Sequence, residues 1–104
     1  MRTNWVYILT NKPCGTFYVG STSNPLRRLE EHRRGEGSQH VRKYGLARVV
    51  WFQAFESKEA ALLIEHRMKK WARATKIDAI ERLNPAWTDL SETWLEEAAN
   101  TYDL

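Results

Sequence analysis

Two short runs of branched and aromatic residues open the chain, residues 5–9 (WVYIL) and 17–20 (FYVG), with residues 11–16 (NKPCGT) between them. Such side chains suit a pleated strand, and Pro13 and Gly15 supply turn chemistry, so the pattern predicts a β-hairpin. Asn24-Pro25 then opens a helix with proline at its first position, running from residue 26 to about 34 and stopped by Gly35 and Gly37. Leu26 and Leu29 define its expected buried side. Residues 38–45 (SQHVRKYG) read as a short helical turn, and residues 48–55 (RVVWFQAF) as a third strand. Ser57 is a good N-cap for a longer helix in which Ala60, Ile64, Met68 and Trp71 recur on one face. A further helix is expected over residues 76–83, ended by Asn84-Pro85, and a short acidic one over 91–99 with Ser91 as cap. The order is β-β-α-β-α-α plus a tail, which predicts a small α+β domain with a three-stranded antiparallel sheet flanked by helices.

Composition narrows the class. At 104 residues the chain is the size of one domain, and a 42% apolar content with five tryptophans supplies one compact core. The longest aliphatic run, residues 60–64, is far short of the roughly 20 residues a membrane helix needs. No apolar stretch precedes a small-residue cleavage site near the start, so no secretory signal is expected. The single cysteine, Cys14, excludes an internal disulfide and has no partners at zinc spacing. The expectation is a soluble cytoplasmic protein. Charge is unevenly spread: residues 1–82 hold all 16 Lys and Arg with eight of the 13 acids, a net +8, whereas residues 83–104 carry five acids and a net −5. A basic body with an acidic tail points to a polyanionic partner such as nucleic acid, although a solvated basic surface has the same composition.

Several side chains carry candidate chemistry, each with an ordinary structural explanation beside it. Tyr7 and Tyr18 fall on the paired strands, where tyrosine is also a common packing residue. Gly20, ending the second strand, marks a bend or a close backbone approach. Arg28 and His32 stand at i and i+4, so they project from one helical face, but Arg27, Arg33 and Arg34 make the same helix a plausible solvated basic surface. Glu65 borders the apolar stripe of the longer helix. It precedes Lys69 by four residues, an ion-pair spacing, and a lone carboxylate also suits Mg²⁺. Asn84 either ends a helix or places an amide near a phosphate. The basic set Lys43, Arg67, Lys69, Lys70, Arg73 and Lys76, together with Arg27 and Gly20, could track a phosphate backbone, with Trp71 more in keeping with core.

Taken together, these residues resemble the GIY-YIG nuclease superfamily. The first motif stands as Trp5-Val6-Tyr7 and the second as Tyr18-Val19-Gly20, eleven residues apart tyrosine to tyrosine. Arg28 follows Tyr18 by ten residues and His32 by fourteen, and Glu65 lies on the later helix. The likeness is greatest to the small stand-alone bacterial members and to the catalytic domain of an excinuclease subunit, and it covers residues 3–90. Residues 1–90 are accordingly expected to form the catalytic domain and residues 91–104 an acidic helix or tail. Trp5 replaces the glycine of the first motif. Ser21 stands where larger members carry a lysine, which removes one group for steering a base. With no appended DNA-binding domain, target choice would rest on this domain alone.

The resemblance implies hydrolysis of phosphodiester bonds in nucleic acid, DNA above RNA, by in-line attack of water, with a role in DNA repair or recombination. It implies Tyr7 as general base, either as phenolate or through water held by a metal, with Tyr18 and His32 assisting. Arg28 would stabilise the phosphate, Glu65 would hold Mg²⁺ or Mn²⁺, and Asn84 would be the site's last polar group. No membrane or small-molecule cofactor is implied. A binding-only module on the same fold needs the basic face but not Glu65. A protein-interaction domain would instead use the acidic residues 89–103, which in a third version fold over the basic face and compete with DNA.

Overall fold

A computed structural model describes residues 3–36 and 39–102, with side chains described as far as residue 100. Gly37, Ser38 and Asp103 therefore lie outside the described residues. The elements run β1 (Asn4–Thr10), β2 (Phe17–Thr22), α1 (Pro25–Arg33), α2 (Gln39–Tyr44), β3 (Arg48–Phe55), α3 (Lys58–Lys69), α4 (Arg73–Leu83) and α5 (Ser91–Tyr102). The three strands form one antiparallel sheet in the order β2-β1-β3, so β1 is central and β2 is an edge. The α+β architecture expected from the pattern is the one observed. Among the described residues no helix is long and apolar enough to cross a membrane.

Alternation along β1 sends side chains to two cores, because successive residues of a strand point to opposite faces. Trp5, Tyr7 and Leu9 meet Leu29 of α1, Val41 of α2 and Trp94 and Ala98 of α5 on one face. Val6 and Ile8 meet Ala61 and Met68 of α3 and Ile80 of α4 on the other. The sheet is thus covered on both sides, which is why β1 is buried along almost its whole length. A register shift at Ile8/Leu9 inserts one extra residue in β3. It lets the adjacent Val50 and Trp51 serve the second core while Val49 and Phe52 serve the first.

Local detail departs from the sequence pattern in four places. β2 continues past Gly20 to Thr22. The buried stripe of α1 is Pro25, Leu29 and His32, spaced i, i+4, i+7, whereas Leu26 is 54% exposed because it lies about 100° round the helix from Pro25. α4 starts at Arg73, three residues before the expected position. α5 takes its first amide not on Ser91 but on Asp89, whose Oδ1 accepts from Ser91 N at 3.0 Å, Ser91 Oγ at 2.6 Å and Val49 N at 3.1 Å. That carboxylate ties the start of α5 to β3. Trp94, fully buried, docks the rest of the helix into the first core.

Candidate active site

The site is built around the phenol of Tyr7. In the β1–β2 ladder Tyr7 stands opposite Gly20 and Leu9 opposite Tyr18, so both tyrosines lie on one face. Their ring centroids are 6.3 Å apart. Gly20 is buried mid-strand, and a Cβ on it would fall 2.7 Å from Tyr7 Oη and 2.8 Å from Tyr18 Cε2. The close approach expected at this glycine is therefore that of two side chains within the protein. Gly20 itself is buried.

α1 delivers His32 to this phenol. Asn24 Oδ1 accepts the Arg27 amide at 3.2 Å and Pro25 occupies the first turn, which fixes the helix start. At the other end Gly35 adopts φ 75°, with its N–H donating to His32 O and that of Glu36 to Glu31 O. This left-handed termination holds the last turn in register. His32 consequently faces the sheet, and its Nε2 lies 2.9 Å from Tyr7 Oη in the interior. Trp94 closes the cluster from behind, its centroid 5.1 Å from that of Tyr7.

The electrostatics favour neutral groups here. Burial pushes the Tyr7 phenol well above its ordinary value, Tyr18 and the Glu65 carboxylate add to the shift, and the positive charge of the nearby Arg28 opposes it. Burial also lowers His32, Arg28 lowers it further, and Glu31 opposes them. At neutral pH the pair is a phenol and a neutral imidazole. Nδ1 of His32 is buried without a hydrogen-bond partner. Arg28 also lies 3.5 Å from Glu31.

Glu65 approaches the same region from the opposite face of the edge strand. Ser21, which follows Gly20 and points to that face, donates its hydroxyl to Glu65 Oε1. Lys69 Nζ lies 2.7 Å from Oε2. Both readings of the 65–69 spacing thus meet, an i,i+4 ion pair beside a chemically useful carboxylate. Among the described residues no three His, Cys, Asp or Glu side chains gather to hold a metal. One carboxylate with a hydroxyl beside it nonetheless suits Mg²⁺ or Mn²⁺, hard ions that keep most of their water and take further oxygen from a phosphate. The donor set fits such an ion and not zinc.

Two expected residues stand elsewhere. Asn84 is buried at the end of α4, where Nδ2 donates to Thr88 O at 2.8 Å and Val50 O at 3.3 Å and Oδ1 accepts from Thr88 N at 3.1 Å. With its amide bonded to backbone, it shapes the 84–88 turn. Arg73 is exposed at the start of α4. Its guanidinium donates to the carbonyls of Cys14 and Gly15 and sits 4.5 Å over the Phe17 ring, clamping the hairpin turn. Trp71 packs against the second core. Lys70 is exposed at the end of α3, Lys43 lies 5.3 Å over the Tyr44 ring on α2, and Arg27 is exposed beside Arg28. Three contributors escaped the pattern. Ser21 registered only as a departure from a motif, Glu31 as one charge among many, and Trp94 lay within an acidic segment whose buried i, i+4 spacing with Ala98 was its only signal.

Residues 3–78 match the GIY-YIG catalytic domain family. The chain belongs to that family. A UPF0213 protein of Aeromonas salmonicida is 35% identical over 91 residues, covering 88% of this chain and 66% of the relative. A UPF0213 protein of Natronomonas pharaonis is 39% identical over 75 residues, 70% of this chain and 85% of that one. The NMR solution structure of the UPF0213 protein BH0048 from Bacillus halodurans superposes with a TM-score of 0.54 at 32% identity, covering 84% of this chain and 92% of that one. The chain spans about two thirds of the length of the Aeromonas salmonicida relative. Its GIY-YIG match ends within α4, so α5 and the Trp94 that backs Tyr7 lie beyond the matched residues.

Proposed function

We propose that this GIY-YIG protein is a divalent-metal-dependent endonuclease that hydrolyses phosphodiester bonds in nucleic acid, with DNA the first substrate class to test. The observation that carries the reading is the buried contact of 2.9 Å between Tyr7 Oη and His32 Nε2, with Arg28 against the same phenol. A buried phenol needs a hydrogen-bond partner in any role; a neutral imidazole as that partner is one that can also accept its proton.

Tyr7 acts as the general base. Its phenol is protonated in the resting site and donates to His32 Nε2, so Oη takes the proton of the attacking water as it passes its own to the imidazole, and no free phenolate has to form. The new P–O bond forms as the bond to the leaving oxygen breaks; the leaving oxygen takes a proton from solvent, and His32 releases its extra proton to solvent to restore the resting pair. Arg28 stabilises the negative charge that gathers on the phosphate oxygens. Tyr18, edge-on to His32 at 5.6 Å, holds the imidazole in place. Glu65, steered by Ser21, would hold the metal ion, which when bound supplies positive charge beside the phosphate.

Nicking of supercoiled plasmid with Mg²⁺ or Mn²⁺ tests the reading, with Glu65→Ala and EDTA as controls. The expected result is metal-dependent nicking by the wild type alone. Salt-sensitive plasmid retention without cleavage would favour a binding module, and equal nicking by both proteins would displace Glu65 from the site.

A further inference from the structure

A polar cleft of about 380 Å³ opens beside the candidate site, between the start of α1 and the start of α3. Its floor is the end of β2, Ser21 and Thr22, and its walls carry Arg27, Arg28, Glu31 and Lys58. Three cations thus face one carboxylate. Glu31 is shared between two of them, 4.0 Å from Arg27 and 3.5 Å from Arg28, and Lys58 has no carboxylate partner among the described residues. The cleft is therefore positively charged and open to an anion. Ser21 and Arg28 belong to both the cleft and the candidate site, so whatever fills one is contiguous with the other. Consecutive helix residues point about 100° apart, which lets Arg28 face Tyr7 while Arg27 faces away along the cleft.

We infer that this cleft is a subsite for the backbone phosphate of the neighbouring nucleotide, held by Arg27 and Lys58 while Arg28 takes the scissile phosphate. The inference rests on the nuclease reading. A nucleic acid strand carries one negative charge per nucleotide, so a strand presenting one phosphate to Arg28 brings the next to an adjoining wall. Cations placed there fix the register of the strand without reading its bases. Glu31 repels that phosphate while it orders the two arginines, so it tempers binding.

The test is the salt dependence of oligonucleotide binding, followed by fluorescence anisotropy in EDTA so that nothing is cleaved. Each lost phosphate contact lowers the slope of log affinity against log salt by about 0.7 to 0.9. Arg27→Gln and Lys58→Met should each show that loss with weaker binding, and Arg27→Lys should restore the slope. Glu31→Gln should bind more tightly. Arg82→Gln removes an exposed cation on α4 that pairs with Asp78, and it should match the wild type. Wild-type slopes in Arg27→Gln and Lys58→Met, with the wild type itself binding, would overturn the subsite alone. An equal fall in Arg82→Gln would also overturn it, by reducing the effect to net charge. A wild type that neither binds nor cleaves nucleic acid overturns the nuclease reading as well.

Discussion

Gly20 sits directly across the β1–β2 ladder from Tyr7, and the space where its Cβ would be is occupied by the Tyr7 phenol, 2.7 Å from Oη. Absence of a side chain at one strand position thus sets where the oxygen of another residue lies. The phenol cannot simply swing aside, because His32, Tyr18 and Trp94 surround it. Gly20→Ala should therefore lower stability by about 1–3 kcal/mol, the usual range for overpacking a filled interior. It should also reduce cleavage beyond what the lost stability explains, since Oη leaves its seat beside His32. Thermal unfolding and single-turnover rates measured together check this; wild-type values for both would show that the contact does not position Tyr7.

Tyr7→Phe removes the oxygen but keeps the ring and its packing. It should fold as the wild type does and lose cleavage by about 10²- to 10⁴-fold, the usual contribution of a positioned general base. Because the proton stays within the Tyr7–His32 pair, the wild-type rate should be level near neutrality and fall in acid as His32, whose pKa is lowered by burial, becomes protonated, whereas the residual rate of Tyr7→Phe should not follow the same profile. A variant that cleaves at the wild-type rate removes Tyr7 from the chemistry.

His32 makes stability depend on acid. Its pKa is lowered in the folded state, so between the unfolded value near 6.5 and the folded value the unfolded chain binds more protons. The sign follows directly. Stability is unaffected by this residue well above pH 6.5 and falls as pH drops below it, until the folded imidazole also protonates. His32→Gln, which keeps a polar tip near Tyr7, should lose that share of the acid sensitivity. Denaturant unfolding of both proteins at pH 7.5 and pH 5.5 measures the difference, and equal losses would mean that His32 is not held neutral by the fold.

The parts of this structure that were legible in the sequence are those decided locally. The hairpin, the Asn24-Pro25 start of α1, the Gly35 stop and the Ser57 cap each depend on a few adjacent residues whose backbone preferences agree. The candidate tyrosines, Arg28, His32 and Glu65 were singled out by the resemblance of their spacing to a family pattern, but what gathers them was not legible. Leu26 and His32 exchanged roles because the phase of a nine-residue helix with two leucines is set by the sheet it lands on. Asn84 carried no mark to separate a turn-forming amide from a ligand-facing one, since both occur before proline. The extra residue in β3 left no trace in a run of uniformly branched and aromatic side chains.

Trp94 shows the same limit at larger scale. Its acidic helix has the composition of a tail, yet the indole lies 5.1 Å from Tyr7 and stacks on Phe52 at 5.9 Å. Trp94→Ala should destabilise the chain by about 3–5 kcal/mol, as for other large aromatic deletions in cores. Trp94→Phe should cost less and retain cleavage. An alanine variant with an unchanged melting temperature would make α5 an appendage.

Glu65 and Lys69 define the last expectation. The Lys69 ammonium lies 2.7 Å from Glu65 Oε2 and so already meets the charge a metal ion would meet. A cation arriving at Glu65 must displace it. Lys69 is half exposed, and pairs of that kind contribute about 0.5–1 kcal/mol, so freeing the carboxylate should tighten metal binding by about two- to fivefold. Lys69→Met, which keeps the length of the side chain and removes its charge, should therefore bind Mn²⁺ more tightly than the wild type in a paramagnetic resonance titration. Glu65→Gln should bind it far more weakly, and Ser21→Ala should fall between, because its hydroxyl steers Oε1 without being the charged donor. Ranking the four proteins separates two roles for the lysine. If Lys69→Met weakens Mn²⁺ binding, the ammonium holds Glu65 in its binding position; if binding tightens, the ammonium occupies the place the metal takes.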